Sequence, residues 1–335
     1  MKYLKTIGDV LLHYGLENAH YEQVTDKLFR VNDGVRYYAL KQSSCTDQTI
    51  LQWKSLIQFA EKYHVACFLP VYLTMDEEVF VRKEGMNFYL SPWVSPIRQT
   101  PAMHHVESFY RAIGNMHHKT KQTEDINMDN IIEIARFFQS FANQSAQTLL
   151  QEVEHFEQER FISPFGLLVC THYRDINLAI RTCKEIAERL ATLDQEDSHF
   201  PACINHGNLR LSHWIEPYLI NWEQAYIGSP VSDLASFFQH EIANGHPDSI
   251  YIDAFSVYLE ENRLCEKELE LLSIYLINPQ EYLSIIKMYH TEKRTTVDYV
   301  KRLQQSYRKI MFGLSWYEFV EKQKFATSPD REELS

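Results

Sequence analysis

Hydrophobic spacing divides the chain into a short part rich in strand patterns and a long helical part. Apolar and polar residues alternate on both sides of the turn Asn32–Gly34, which is typical of a β-hairpin. Further strand patterns occur at Phe68–Thr74, Val79–Arg82 and Phe88–Leu90. From residue 104 onward, apolar residues recur every three or four positions, which predicts helices. The pattern therefore predicts an α+β fold, with a small β-rich part followed by a large, mainly helical part.

The helical patterns also indicate where the chain divides. A first helix is predicted over residues 1–14, ended by Gly15, and a second over 46–63. Later helices are predicted at 106–119, 128–160 with a break near Asn143–Ser145, 172–193, 233–244, 248–262, 266–277 and 279–324, the last subdivided near residue 294. We place an N-terminal lobe at 1–94, a helical lobe at 95–325 and a disordered tail at 326–335.

Composition excludes several classes of partner. The 335 residues are 45% hydrophobic and 23% charged, with a formal net charge of −12, which argues against nucleic acid or an anionic membrane. No apolar stretch approaches the roughly 20 residues of a membrane span, and the N-terminus lacks the long apolar region of a signal peptide. We therefore expect synthesis in the cytoplasm, with no signal peptide and no transmembrane segment.

The six cysteines give no sign of a metal site. None forms a Cys-x-x-Cys pair, so zinc and thioredoxin-type sites are disfavoured. Reduced thiols are expected in the cytoplasm, and cross-linking in an oxidising assembly is the alternative.

Polar residues of catalytic types are concentrated in residues 203–235. Asn205, His206, Gly207 and Asn208 come together, and His213 follows five residues after Asn208. Two short apolar runs, Trp214-Ile215 and Tyr218–Ile220, predict a small hairpin, and Asn221-Trp222-Glu223 closes its second strand. Gly228, Pro230 and Asp233 then mark the start of a helix, with Asp233 in its first turn.

This segment resembles the catalytic core of aminoglycoside phosphotransferases and choline-kinase-like enzymes. Their pattern is His-Gly-Asp, an Asn five residues after that Asp, Ile-Asp-Phe/Trp-Glu, and Pro-x-x-Asp-Leu-Ala. The resemblance implies a protein-kinase-like fold of two lobes, with the degenerate catalytic loop at 203–223. Three positions depart from the pattern: Asn208 stands at the catalytic Asp, His213 at the metal-binding Asn, and Asn221 at the metal-binding Asp.

These departures remove the chemistry that the pattern supplies in an intact enzyme. Asn208 has no useful proton affinity, and general-base help is worth roughly 10²–10⁴-fold in rate. Asn221 lacks the carboxylate that magnesium prefers, and the imidazole of His213 is a poor magnesium ligand. Glu223 would share a face with Asn221 on a strand and reach a metal only if the site were relocated. We therefore expect no bound metal and no cofactor.

Other positions match the family by their place in the pattern. His206 and Gly207 are expected to keep the shape of the loop, and Asp233 resembles the carboxylate that hydrogen-bonds it. Lys41 ends the strand Val35–Lys41 and corresponds to the lysine that reaches nucleotide phosphates. The preceding loop, Val24–Lys27, has no glycine with which to approach phosphate closely.

The predicted helix 46–63 is expected to supply a glutamate that pairs with Lys41. It contains one glutamate, Glu61, which lies near its end, so no partner can be aligned. The segment Ser91–Val94 resembles the hinge that holds the adenine ring in these kinases.

A narrower resemblance suggests a biological role. The hairpin ending in Ala39-Leu40-Lys41, the segments Leu69–Thr74 and Tyr89–Val94, and the degenerate loop resemble the CotS group of spore-coat kinase-like proteins, and within it the YsxE-type members. This implies a protein made in the mother-cell cytoplasm and deposited in the spore coat, with other coat proteins as partners. The leading hypothesis is a catalytically impaired pseudokinase with a structural role. The alternatives are an active phosphotransferase that uses ATP and magnesium on a hydroxyl substrate, and a nucleotide sensor without turnover.

Overall fold

The structure, a computed structural model, describes residues 2–95, 102–121, 128–192, 200–245, 248–292 and 295–327. The chain divides into two compact units. Unit 1 comprises Met1–Thr120 and Ile204–Ile227, and unit 2 comprises Lys121–Cys203 and Gly228–Ser335. Most of the segment that resembles a catalytic loop therefore groups with the N-terminal sheet. The predicted lobe boundary after residue 94 stays a prediction, and residues 328–335 of the predicted tail lie outside the described part.

Unit 1 is built on a five-stranded antiparallel sheet in the order β1-β2-β3-β5-β4. Its strands are β1 His20–Thr25, β2 Leu28–Asn32, β3 Tyr37–Ser43, β4 Val81–Lys83 and β5 Met86–Pro92. Phe29 and Val31 are buried on alternate positions of β2, as the period of two requires. They form a core with Ile7 and Val10 of the first helix, which covers this face of the sheet.

The helices of unit 1 are α1 Lys2–Leu12, α2 Asp47–Lys62 and α3 Ala102–Thr120. Helix α2 begins after Thr46, whose side chain accepts a hydrogen bond from the Thr49 N–H. The remaining strands are β6 Cys203–Asn205, β7 Trp214–Ile215, β8 Tyr218–Leu219 and β9 Tyr226–Gly228. Strands β7 and β8 pair as the predicted hairpin.

One predicted strand of unit 1 is wrong. The run Phe68–Thr74 forms only two isolated bridges, at Phe68 and Tyr72. Pro70 has no N–H to donate to a ladder, which accounts for the missing strand.

Unit 2 is helical over most of its described residues. Its helices are α4 Met128–Gln158, α5 Pro164–Ala191, α6 Pro230–Ala243, α7 Asp248–Asp253, α8 Phe255–Glu261, α9 Glu266–Ile277, α10 Gln280–Thr291 and α11 Thr296–Thr327. Helix α4 packs along α5, and α9 contacts α5, α6 and α11. At Gly313 of α11, an added Cβ would lie 2.6 Å from the backbone of Leu276 and Ile277. The absence of a side chain there lets α11 approach α9 closely.

The break predicted near Asn143–Ser145 is wrong, because α4 is continuous. Ala142 and Ser145 are buried while Asn143 and Gln144 are exposed, so these polar residues follow the helical period.

Charge is divided unequally between the units. In unit 1 the lysines and arginines equal the aspartates and glutamates in number, so the formal net charge of −12 falls wholly on unit 2. Among the described residues, none of the helices combines the length and apolar character needed to cross a membrane.

Candidate active site

The loop that follows β6 is held in place by His206. This buried imidazole donates from Nε2 to the carbonyl oxygen of Ile220 at 2.8 Å, and its Nδ1 accepts from the Asn208 N–H at 3.3 Å. The ring also packs against Trp222, with centroids 4.9 Å apart. Two hydrogen bonds to opposite ring nitrogens require a neutral imidazole in one tautomer. His206 thus ties the loop to the segment after β8.

Gly207 allows the close approach that this arrangement needs. Its φ is +74°, and an added Cβ would lie 2.0 Å from the carbonyl oxygen of Gln224. A side chain would therefore be both strained and in collision with backbone. Gly207 thus lets the loop backbone lie directly against the backbone of Gln224.

Asn208, which the resemblance places at the catalytic Asp, is turned toward a residue of its own loop. Its Oδ1 accepts a hydrogen bond from Arg210 Nε at 3.0 Å. An amide in this place can orient a hydroxyl group, but it cannot remove a proton.

His213 lies in a short 3-10 helix, Leu211–His213, just before β7. Its Nδ1 donates to the carbonyl oxygen of Asn208 at 3.0 Å. Burial, together with the nearby ring of His206, lowers the pKa of His213 to about 4. The ring is therefore neutral at pH 7 and serves as a hydrogen-bond donor within the loop.

Asn221 and Glu223 both reach Lys41. Asn221 adopts the left-handed conformation, with φ 70° and ψ 52°, and a 3-10 helix covers Trp222–Gln224. This segment is therefore not the strand continuation that was predicted. Even so, Lys41 Nζ lies 2.6 Å from Asn221 Oδ1 and 2.5 Å from Glu223 Oε1.

Tyr89 completes this cluster from β5. Its hydroxyl donates to Glu223 Oε1 at 2.8 Å, and its ring packs against Trp53 of α2, with centroids 5.0 Å apart. Burial of Glu223 opposes its charge, but the adjacent Lys41 ammonium and these hydrogen bonds outweigh it and lower the pKa of the carboxyl. Glu223 is thus anionic and paired at neutral pH.

The sequence does not reveal that Glu223 is the partner of Lys41. The partner of Lys41 was expected in helix α2, which the resemblance assigns to that task. The structure supplies it instead from the segment after β8, about 180 residues away in sequence. The only signal in the sequence is the position of Glu223, two residues after Asn221 in the family pattern.

Two cavities adjoin this cluster. The larger, of about 430 Å³, is lined mostly by apolar and aromatic side chains and includes the predicted hinge residues Trp93 and Val94. The smaller, of about 350 Å³, has mainly polar walls. Lys27, Lys41 and Asn221 line both.

The residues present do not suit magnesium. Within the described part of the chain, His, Cys, Asp and Glu side chains nowhere gather in a group of three that could hold a metal ion. The carboxylate of Glu223 is bonded to Lys41 and Tyr89, and Asn221 Oδ1 is also bonded to Lys41. A cation bound at these oxygens would lie beside the Lys41 ammonium, and the two positive charges would repel each other.

Asp233 belongs to unit 2. It lies in the first turn of α6, after the capping residue Ser229, and it is buried. Its predicted hydrogen bond to the loop stays a prediction.

Comparison with known proteins identifies the fold. No family model matches the chain, and no curated protein matches it either. An aminoglycoside phosphotransferase from Alicyclobacillus acidocaldarius subsp. acidocaldarius DSM 446 has a TM-score of 0.69 and 18% identity, over 94% of this chain and 96% of that one. A spectinomycin phosphotransferase solved with ADP and spectinomycin has a TM-score of 0.54 and 13% identity, over 95% and 98%.

A third similar structure is the choline kinase LicA from Streptococcus pneumoniae. It has a TM-score of 0.50 and 15% identity, over 93% of this chain and 99% of that one. At these identities the likeness concerns the fold. The chain has the α+β fold of the aminoglycoside phosphotransferases, with a five-stranded antiparallel sheet in its N-lobe and a mainly helical C-lobe.

Proposed function

We propose that this chain is a catalytically impaired kinase-fold protein, a pseudokinase with a structural role. The observation that carries the proposal is the set of hydrogen bonds made by the residues at the three positions that depart from the family pattern. Asn208 Oδ1 accepts from Arg210, His213 donates to the loop backbone, and Asn221 Oδ1 contacts Lys41. Each of these side chains makes a contact within the protein, at a position where an intact enzyme would have a base or a metal ligand.

Under this proposal the chain does not catalyse phosphotransfer. The similar structures include a phosphotransferase with ADP and spectinomycin bound, so the fold is compatible with such chemistry. In this chain, however, the base position is neutral and the metal position carries no charge. Catalysis of phosphoryl transfer depends on positioning and on electrostatic stabilisation by the metal, so both losses act on the same step.

The direct test is transfer of the γ-phosphate of ATP to a panel of hydroxyl compounds, including aminoglycosides and choline, with magnesium present. We expect the unaltered protein to show no more turnover than Lys41→Ala. A working enzyme would need this lysine, so its activity would fall in the variant, whereas an inactive protein would show no difference. Turnover that disappears in Lys41→Ala would contradict the proposal. The folding of the variant is checked by circular dichroism.

The spore coat is the proposed place of this structural role. The support is the resemblance of Ala39–Lys41, Leu69–Thr74 and Tyr89–Val94 to the CotS group. A fluorescent fusion expressed in a sporulating bacillus is expected to leave the mother-cell cytoplasm and collect around the forespore. Fluorescence that stays dispersed in the mother cell throughout sporulation would count against a coat location.

Ligand binding without turnover is a second candidate, favoured by the larger cavity. A volume of about 430 Å³ lies within the range of small-molecule sites, and its apolar walls are typical of them. The change in melting temperature on adding ATP or adenosine, with and without magnesium, separates this function from a purely structural one. A rise in melting temperature that does not depend on the metal supports binding without turnover. No rise with either compound supports a scaffold.

A further inference from the structure

A third cavity lies within unit 2 and is formed by other elements than the candidate active site. It has a volume of about 370 Å³ and is lined by residues of α6, α9, α10 and α11. All of the described residues that line it belong to unit 2, and none falls within 203–223. Small-molecule sites usually have volumes of about 300–1,000 Å³. This four-helix cavity is therefore a separate candidate for a binding site.

A buried serine in the wall of the four-helix cavity points to a ligand. Ser306 of α11 lines the cavity and is only 2% exposed, and its hydroxyl donates no hydrogen bond to any described residue. Ser273 of α9 is equally buried but does not line the cavity, and it donates to the carbonyl oxygen of Leu269 at 2.7 Å. Buried polar groups are nearly always hydrogen-bonded. Ser306 therefore offers an unused donor to a molecule inside the cavity.

The charges in the wall of the four-helix cavity balance each other. Lys309 and Glu281 are its ionised lining residues, and Lys309 Nζ lies 3.0 Å from Glu281 Oε2. A ligand with a net charge would be attracted by one of the two and repelled by the other. A zwitterion would have to compete with the existing ion pair. An uncharged ligand can bond to the remaining N–H groups of the ammonium and to the second carboxylate oxygen while the pair stays intact.

The other walls combine amides with aliphatic side chains. Gln239 donates from Nε2 to a backbone carbonyl oxygen at 3.1 Å, so its Oε1 remains as an acceptor. Asn278 Oδ1 accepts from the Gln280 N–H at 3.0 Å, so its Nδ2 remains as a donor. Leu276 and Ile310 add apolar surface. Groups that both donate and accept, placed beside aliphatic surface, complement a ring that carries hydroxyl groups on a hydrocarbon frame.

We propose that the four-helix cavity binds an uncharged polyhydroxyl compound, a monosaccharide or a cyclic polyol. One ligand hydroxyl accepts from Ser306, and others bond to the amides and to the outer atoms of the Lys309–Glu281 pair. Leu276 and Ile310 contact the C–H surface of the ring. This inference goes beyond the proposed function and does not depend on it, because no residue of the candidate active site takes part.

Isothermal titration calorimetry with the full chain tests the class of ligand. The uncharged compounds are glucose, galactose, mannose, N-acetylglucosamine and myo-inositol, and the charged ones are glucose 6-phosphate, glucosamine and free serine. We expect at least one uncharged compound to bind with a Kd in the millimolar range or tighter. The absence of binding by all the uncharged compounds overturns the inference. A charged compound that binds more tightly than every uncharged one overturns it as well.

A serine variant tests whether the ligand lies in the four-helix cavity. Ser306→Ala is expected to weaken binding about threefold to tenfold, the usual effect of one hydrogen bond. It is not expected to lower the stability measured by urea unfolding, because the hydroxyl donates no bond to any described residue. The matched control is Ser273→Ala, which removes a buried hydroxyl outside the cavity and is expected to leave the affinity unchanged. Unchanged affinity in Ser306→Ala, or an equal loss in both variants, contradicts the proposed site.

A second variant tests the amide wall. Gln239 is exposed, so Gln239→Ala puts the fold at little risk. Its loss is expected to weaken binding of the same compound by a similar factor, because one acceptor is removed. An affinity equal to that of the unaltered protein would contradict the contact between the ligand and this wall.

Discussion

Two neighbouring histidines, the buried His206 and the half-buried His213, hold the loop of the candidate site at the scale of single residues. His206 and His213 have ring centroids 5.9 Å apart, and each ring is hydrogen-bonded to the loop backbone. Two imidazoles this close cannot both take up protons at low cost, since each charge would disfavour the other. The hydrogen bonding of the loop therefore favours the uncharged form of both imidazole rings.

This arrangement predicts a loss of stability in acid. The pKa of His213 is about 4 in the folded protein, against 6.5 as its ordinary value. Between these values the unfolded chain binds the proton and the folded one does not, so stability falls as the pH falls. Going from pH 7 to pH 5 is expected to cost about 2 kcal/mol at this residue.

The measurement is urea unfolding at pH 7 and at pH 5. His213→Asn cannot take up the proton, so its loss of stability between the two pH values is expected to be smaller than that of the unaltered protein. The exposed His118→Asn is the control and is expected to behave like the unaltered protein. Equal losses in His213→Asn and the unaltered protein would show that this proton is not coupled to folding.

Sequence spacing located the altered residues but not their partners. The interval of five residues from Asn208 to His213 is a property of the pattern and can be read directly. The bond from His213 to the Asn208 carbonyl depends on loop geometry, and the pairing of Lys41 with Glu223 joins distant segments. Neither has a periodic signature in the sequence.

At the scale of elements, contact between helices α9 and α11 depends on Gly313. The backbone of Leu276 and Ile277 occupies the space where a Cβ would stand, and backbone cannot move aside as a flexible side chain can. Gly313→Ala is therefore expected to destabilise the protein by about 1–3 kcal/mol, although alanine is the better helix former.

Chemical denaturation followed by far-ultraviolet circular dichroism measures this effect. The control is Ser315→Ala on the same helix, where the residue is exposed and no atoms are added to a contact. A Gly313→Ala variant as stable as Ser315→Ala would mean that the two helices can separate at little cost.

Most helices and strands could be predicted from the sequence. The wrong predictions have local causes. Helical periodicity gave α2, α6 and α9 to within three residues of their observed ends. It also suggested a break in α4, because three polar residues in succession look like a turn when burial is unknown. The strand at Phe68–Thr74 was predicted from its apolar residues, although Pro70 interrupts its hydrogen bonding.

At the scale of the whole molecule, each of the two units is made of two separate stretches of the sequence. Residues 204–227 return to the unit of the N-terminal sheet after a long helical stretch. Hydrophobic periodicity describes elements one at a time and carries no information about which distant elements meet. The fold class was predictable because a spaced motif pointed to a family, and solved structures of that fold confirm it.

The left-handed backbone of Asn221 has a consequence for the evolution of this protein. Asparagine and aspartate are the residues, after glycine, that most readily adopt this conformation. The backbone at 221 therefore accepts an aspartate as easily as the asparagine it carries, and one nucleotide substitution is enough to exchange the two. The same exchange applies at Asn208. Each of these two positions is thus one nucleotide substitution away from the carboxylate that the aminoglycoside phosphotransferase pattern carries there.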